Sequence, residues 1–136
     1  MEHSNKGFTL IELLVAIGII ATLTAILLPN FMGARERAKD AQKIQDLNSI
    51  KSALRLYYND HQAYPTGTEE RLGSSFSEYL PTVENIGFSY SYTQTNGGDG
   101  FYITAPLEAN RGDDGNNSQL KCGLTPTPGL FAVCAN

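Results

Sequence analysis

The segment FTLIELLVAIGIIATLTAILL, residues 8 to 28, restricts this chain more than any other feature. Its 21 residues are apolar on every helical face. At 1.5 Å per residue they reach ~31 Å, the thickness of a bilayer core. Between Lys6 and Arg35 the only formally charged residue is Glu12. A carboxylate at the centre of a membrane helix costs about 2.5–3.5 kcal/mol on insertion scales, so its presence needs a reason. A secretory signal peptide would have a shorter apolar core and a small-residue cleavage site after it. Here Pro29-Asn30-Phe31-Met32 follows, and only Gly33-Ala34 loosely suggests such a site. An ordinary membrane anchor explains the length but leaves Glu12 unexplained. A third reading treats MEHSNKG as a short polar leader removed from an apolar helix that stays in the mature chain.

The helical pattern continues beyond Pro29, where a lost backbone hydrogen bond and a steric clash predict a kink. Ala41, Ile44, Leu47, Ile50, Leu54 and Tyr57 recur every three or four residues, with Ala53 widening the stripe. Arg35, Glu36, Arg37, Lys39, Asp40, Gln42, Lys43, Gln45 and Asp46 lie between them and read as a solvated face. On that face Glu36–Lys39 and Asp40–Lys43 have helical pair spacing. One helix from Phe8 to about Tyr58 would be ~76 Å long. Its first half would be apolar all round and its second half along one stripe.

The motif Lys6-Gly7-Phe8-Thr9-Leu10-Ile11-Glu12, with Pro29 downstream, resembles the cleavage and methylation signature of type IV pilins and type II secretion pseudopilins. The likeness is close over residues 6 to about 30 and beyond them is one of architecture. It implies that a membrane peptidase cuts between Gly7 and Phe8 and methylates the new amine of Phe8. It further implies that the subunit waits in the inner membrane as a single-pass protein and is polymerised by a membrane assembly platform. The partners so implied are identical or related subunits, the prepilin peptidase/methylase, that platform and the lipid bilayer. The filament would then stand at the cell surface or in the periplasm. The corresponding divisions are a leader at 1–7, a transmembrane and assembly helix at 8–34, and an extracytoplasmic head at 35–136.

Elementary electrostatics gives Glu12 a use in such an assembly. Cleavage after Gly7 leaves a cation on Phe8, four residues before Glu12. In a staggered bundle, one subunit's Glu12 can meet another's Phe8 amine away from water. An unpaired charge there is costly, so the pair rewards one axial register, as a buried polar residue does in a coiled coil. The local alternative is a helix-end carboxylate favoured by the macrodipole and reaching back to the interface.

The remaining sequence reads as a small head, giving an α+β fold. Asn59 to Gly67 breaks the helix, and Phe76–Leu80 reads as a short helix. FSYSYTQT (88–95), the turn NGGDG (96–100) and FYITAPLE (101–108) read as a hairpin, with a third strand near Leu130–Cys134. Cys122 and Cys134 are too few for a four-ligand zinc site. Beyond a membrane anchor the compartment is oxidising, and the pilin resemblance implies a C-terminal disulfide loop. Closing it contributes about 3 kcal/mol in the chain-entropy model. Two free thiols are the alternative.

Other chemistry is weakly signalled. His61, the only histidine after the leader, has no nucleophile motif around it and reads as a solvated helix end, so no enzyme and no cofactor is implied. Arg111-Gly112-Asp113 spells an integrin-type tripeptide that chance explains in a Gly/Asp loop. RGDDGNN (111–117) places Asp113, Asp114 and Asn116 as calcium-type oxygen donors, without EF-hand spacing. Turn chemistry accounts for them equally well. Asn116-Asn117-Ser118 fits a glycosylation acceptor. A net charge of −4 and a pI near 5.0 argue against direct nucleic-acid binding. The resemblance leaves two roles: a pilus subunit, favoured by the cysteine pair, or a major pseudopilin of a secretion or DNA-uptake system. YYNDHQAYPTG (57–67) resembles the start of pseudopilin heads.

Overall fold

The computed structural model describes residues 7–66, 72, 76–81, 86–109 and 112–135. Helix α1 runs Leu10–His61 and passes uninterrupted through Pro29. Its start differs from the expected Phe8 because Thr9 caps it. The Thr9 carbonyl accepts the Leu13 N–H, while its hydroxyl accepts the Glu12 N–H at 3.3 Å. At the other end Gln62 adopts φ 56°, the left-handed conformation that closes a helix, and its N–H donates to the Tyr58 carbonyl.

By contacts the chain divides into two compact units, Met1–Arg35 and Glu36–Asn136. The first is the apolar half of α1, and its side chains from Leu10 to Met32 are exposed. The second contains the rest of α1, strands β1 (Ser91–Thr95) and β2 (Gly100–Pro106), helix α2 (Gly112–Lys121) and strand β3 (Leu130–Cys134). The sheet is antiparallel in the order β1-β2-β3. The fold is therefore α+β and pilin-like, with a long apolar helix and a small three-stranded sheet.

Register explains the core. Tyr92 pairs with Ile103 and Ile103 with Val133, so the three stack across one sheet face. They are buried together with Phe101 and Ala105. Leu47, Ile50, Ala53 and Leu54 of α1 join the same cluster, capped by Tyr64, Leu72 and Phe76. The turn Asn96-Gly97-Gly98 places three successive residues at positive φ, which only Gly and Asn adopt cheaply. Phe76 accepts backbone bonds from Tyr79 and Leu80, making one helical turn where a short helix was expected.

Three expectations need correction. Strand β1 starts at Ser91 rather than Phe88. Extending the register would set Ser89 against Pro106, whose nitrogen has no hydrogen to donate. The stretch read as a turn-rich loop is instead the start of α2. Asp113 and Asp114 sit in its first turn, where carboxylates suit the positive end of the dipole. Finally, the buried stripe of α1 includes Asp40 while Ala41 is exposed.

Candidate functional site

Gly7, Phe8 and Thr9 precede the helix, so the junction between Gly7 and Phe8 lies in non-helical backbone. Phe8 is 88% exposed. Glu12 is the third residue after the cap. Its carboxylate accepts from the Thr9 N–H at 2.9 Å and the Thr9 hydroxyl at 2.7 Å. With the return bond from the Glu12 N–H, this is a reciprocal capping box. The charge is thus satisfied within its own chain by Thr9, while the helical side chains around it, Leu10, Ile11, Leu13, Leu14 and Val15, are apolar and exposed. The Thr22 and Thr24 hydroxyls donate to the carbonyls of Ile19 and Ile20, so neither adds an unmet polar group to the apolar face. Pro29 withholds an N–H from the Ala25 carbonyl four residues back. By length and composition α1 has a segment able to cross a membrane, at the N-terminal end and with no part of it buried. Lys6 and the rest of the expected leader lie outside the described residues, apart from Gly7.

The head carries a second polar cluster, which periodicity did not expose. Asp40 is fully buried, and its two carboxylate oxygens accept the N–H groups of Glu108 (2.7 Å) and Ala109 (2.8 Å). Glu108 in turn contacts Lys39 at 2.8 Å and Lys43 at 3.4 Å, and Lys43 also donates to the Pro106 carbonyl. The Lys39 hydrogen bond holds the Glu108 carboxyl below its ordinary value, against a smaller opposing effect of burial. The expected Asp40–Lys43 pairing is therefore replaced, because Asp40 turns inward to the chain leaving β2. The only hint was its place four residues before Ile44, on the stripe.

Cys122 and Cys134 form a disulfide with a Cα–Cα separation of 5.6 Å. His61 is exposed and stacks on Tyr57 with ring centroids 4.0 Å apart. Nearby, the Tyr79 hydroxyl donates to Asp60, which pushes the phenol up to about 12. Asp113 and Asp114 are exposed and Asn116 half-buried. Among the described residues no three His, Cys, Asp or Glu side chains gather as an ion would require. The Ser118 hydroxyl of the acceptor tripeptide is occupied within the fold, donating to Gly115 and accepting from Ala132. Arg111 lies outside the described residues.

Residues 3–28 match the model of the prokaryotic N-terminal methylation motif. The chain carries that motif. It is similar to type II secretion system core protein G of Dickeya chrysanthemi, 39% identical over 74 residues, 54% of this chain and 48% of that protein. Against the same-named protein of Escherichia coli it is 35% identical over 87 residues, 64% of this chain and 58% of that one. The major component of the type IV wide pilus of Thermus thermophilus is 37% identical over 87 residues, 64% of each chain. The chain spans about half the length of the first of these relatives. No solved structure matches it at a significant level.

Proposed function

We propose that this chain is a structural subunit of a type IV pilus, cut after Gly7, N-methylated at Phe8 and polymerised through the apolar half of α1. The observation that carries the reading is one carboxylate, Glu12, inside a methylation motif and in the half of α1, Leu10 to Met32, that is otherwise almost wholly apolar and exposed. That surface is exposed among the described residues, and lipid or sister helices are the environments that suit it. In the membrane pool Glu12 is held by Thr9. In the filament its partner is the Phe8 amine of another subunit, which no uncut chain can offer. Pro29 kinks the helix where the lipid-length segment ends. The subunit is not an enzyme, uses no cofactor and binds no nucleic acid directly. It works with the prepilin peptidase, an inner-membrane assembly platform and other copies of itself.

The deciding experiment is N-terminal and intact-mass analysis of protein recovered from cells. A chain starting at methylated Phe8 is expected. One starting at Met1, or beyond Ala34, would end this reading.

A second reading, the major pseudopilin of a type II secretion or DNA-uptake system, is favoured by the matches to secretion core protein G. The two separate on phenotype. Loss of surface filaments with secretion intact marks a pilin, and the reverse marks a pseudopilin.

A further inference from the structure

The charges that flank the apolar run are arranged against the usual rule for a membrane helix. Lys and Arg collect on the cytoplasmic side of such helices and set their orientation. Before the run the sequence gives Lys6 against Glu2; after it come Arg35, Arg37, Lys39 and Lys43, against Glu36 and Asp40. The Cys122–Cys134 disulfide supports placing the head outside the cytoplasm, since such bonds persist in oxidising compartments. The cations that follow the run therefore stand on the side where they oppose orientation, and they need another use.

Two of them are committed within the head. Lys39 lies 2.8 Å from Glu108 and Lys43 lies 3.4 Å from it, and Lys43 also donates to the Pro106 carbonyl. Arg35 and Arg37 are the cations nearest the apolar run, and both are exposed on α1. With Phe8–Leu28 filling the bilayer core, the Arg35 Cα stands about 10 Å beyond Leu28 along a helix rising 1.5 Å per residue. The headgroup layer adds about 5–7 Å on each side of the core. Helical side chains lean toward the N-terminal end, here toward the bilayer, and long cationic stems reach back to the interface. That lean brings the guanidinium down to the phosphates. Arg37, two residues on, points about 160° away around the helix axis, so each arginine addresses a different lipid.

We propose that Arg35 and Arg37 bind the phosphates of anionic phospholipids in the leaflet that faces the head. A guanidinium matches phosphate with two parallel hydrogen bonds and is more weakly hydrated than an ammonium, which suits arginine to this position. Glu36 lies between them and weakens the attraction, so the contact fixes the depth of α1 without holding the subunit permanently. The inference rests on the membrane-spanning reading given above. It adds a charge-dependent grip that must be released when a subunit is withdrawn from the membrane into a filament.

The test places the full chain in nanodiscs of phosphatidylcholine mixed with phosphatidylglycerol. Spin-labelled forms of the two lipids, added in turn, report by electron paramagnetic resonance what fraction of each the protein holds. Phosphatidylglycerol should associate several-fold more strongly at low salt. The preference should shrink toward unity in about 1 M salt, where the screening length is ~3 Å. Arg35→Gln/Arg37→Gln should incorporate equally well and lose most of the preference. If that variant does not incorporate, Arg35→Lys/Arg37→Lys and the salt series decide: a preference erased by salt supports the proposal, and one untouched by salt overturns it. Inorganic phosphate at millimolar concentration and constant ionic strength should not displace the lipid; displacement would show a site for phosphate from solution and end the proposal. Equal association of both lipids with the parent chain, or an unchanged preference in the glutamine variant, would also overturn it. Failure of the parent to enter either kind of bilayer would sink the membrane-spanning reading itself, whereas entry without lipid preference sinks this inference alone.

Discussion

The two halves of α1 bury themselves in different ways. From Leu10 to Met32 the helix is apolar on all sides but for Glu12, two threonines and Asn30, and its side chains are exposed among the described residues. From Asp40 to Leu54 it is apolar on one stripe, and that stripe is covered by the chain's own sheet and loops. Each half also contains one carboxylate in a surrounding that should repel it. Glu12 is satisfied by the residue three before it. Asp40 is satisfied by backbone 68 and 69 residues away. The difference teaches that folding alone finishes one half and leaves the apolar surface of the other exposed.

The largest expected effect tests the unfinished half. Glu12→Ala should insert in the membrane at least as well as the parent, because a costly charge is gone. Filament yield, measured by shearing cells and blotting the released material, should fall to a small fraction. Normal filaments from this variant would remove the proposed amine partner and leave Glu12 as a cap only.

The finished half should respond in stability instead. Asp40→Ala strands two N–H groups at a fully buried position, and a cost of about 2–4 kcal/mol is expected from lost charged hydrogen bonds and desolvated donors. Thermal melting of a fragment from Arg35 onward, itself expected to be soluble and monomeric, provides the measurement. Asp40→Asn keeps one acceptor and should fall between. A neutral Asp40→Ala would show that the buried carboxylate is not what joins α1 to the chain after β2.

A smaller effect follows acid titration of the same corner. Glu108 is depressed in the fold, so it binds protons less readily there than in the unfolded chain. Its contribution is present above the ordinary glutamate value of 4.5 and is lost as pH falls through the depressed one. Lys39→Ala should flatten that part of the fragment's stability–pH curve below 4.5 and leave the curve near neutrality almost parallel. An unchanged acid limb would assign the depression to other groups.

The smallest effect concerns calcium. Asp113 and Asp114 are consecutive residues in the first turn of α2, about 100° apart around its axis, and this does not gather their oxygens on one ion. Millimolar calcium should barely move the fragment's melting temperature. Asp113→Ala should cost only the dipole interaction, about 0.3–1 kcal/mol. A rise of many degrees with calcium, abolished by either alanine, would favour the pseudopilin reading.

Much of this protein is written locally. The apolar run, the cleavage motif, the cap-ready Thr9 and Glu12, the hairpin turn at Asn96–Gly98 and the last strand all depend on neighbours within a few residues. Periodicity and turn chemistry therefore expose them. Three features depend instead on distant backbone. Asp40 is polar by type and lies on an apolar stripe, and only the folded position of Glu108 and Ala109 makes that burial affordable. Gln119 lies in a polar stretch with no pattern, and it is buried and bonded only once Thr127 and Leu130 come round beside it. Helix α2 begins in Gly, Asp and Asn, poor helix formers whose local preference is for turns. Packing against β3 overrides that preference, because Gly115 permits close approach and Ser118 and Gln119 satisfy the strand's backbone. The sequence by itself determined the apolar run and the methylation motif, since both follow from contiguous residues. Only the tertiary structure decided which polar groups are buried, because a hydrogen-bond partner remote in sequence leaves no local trace.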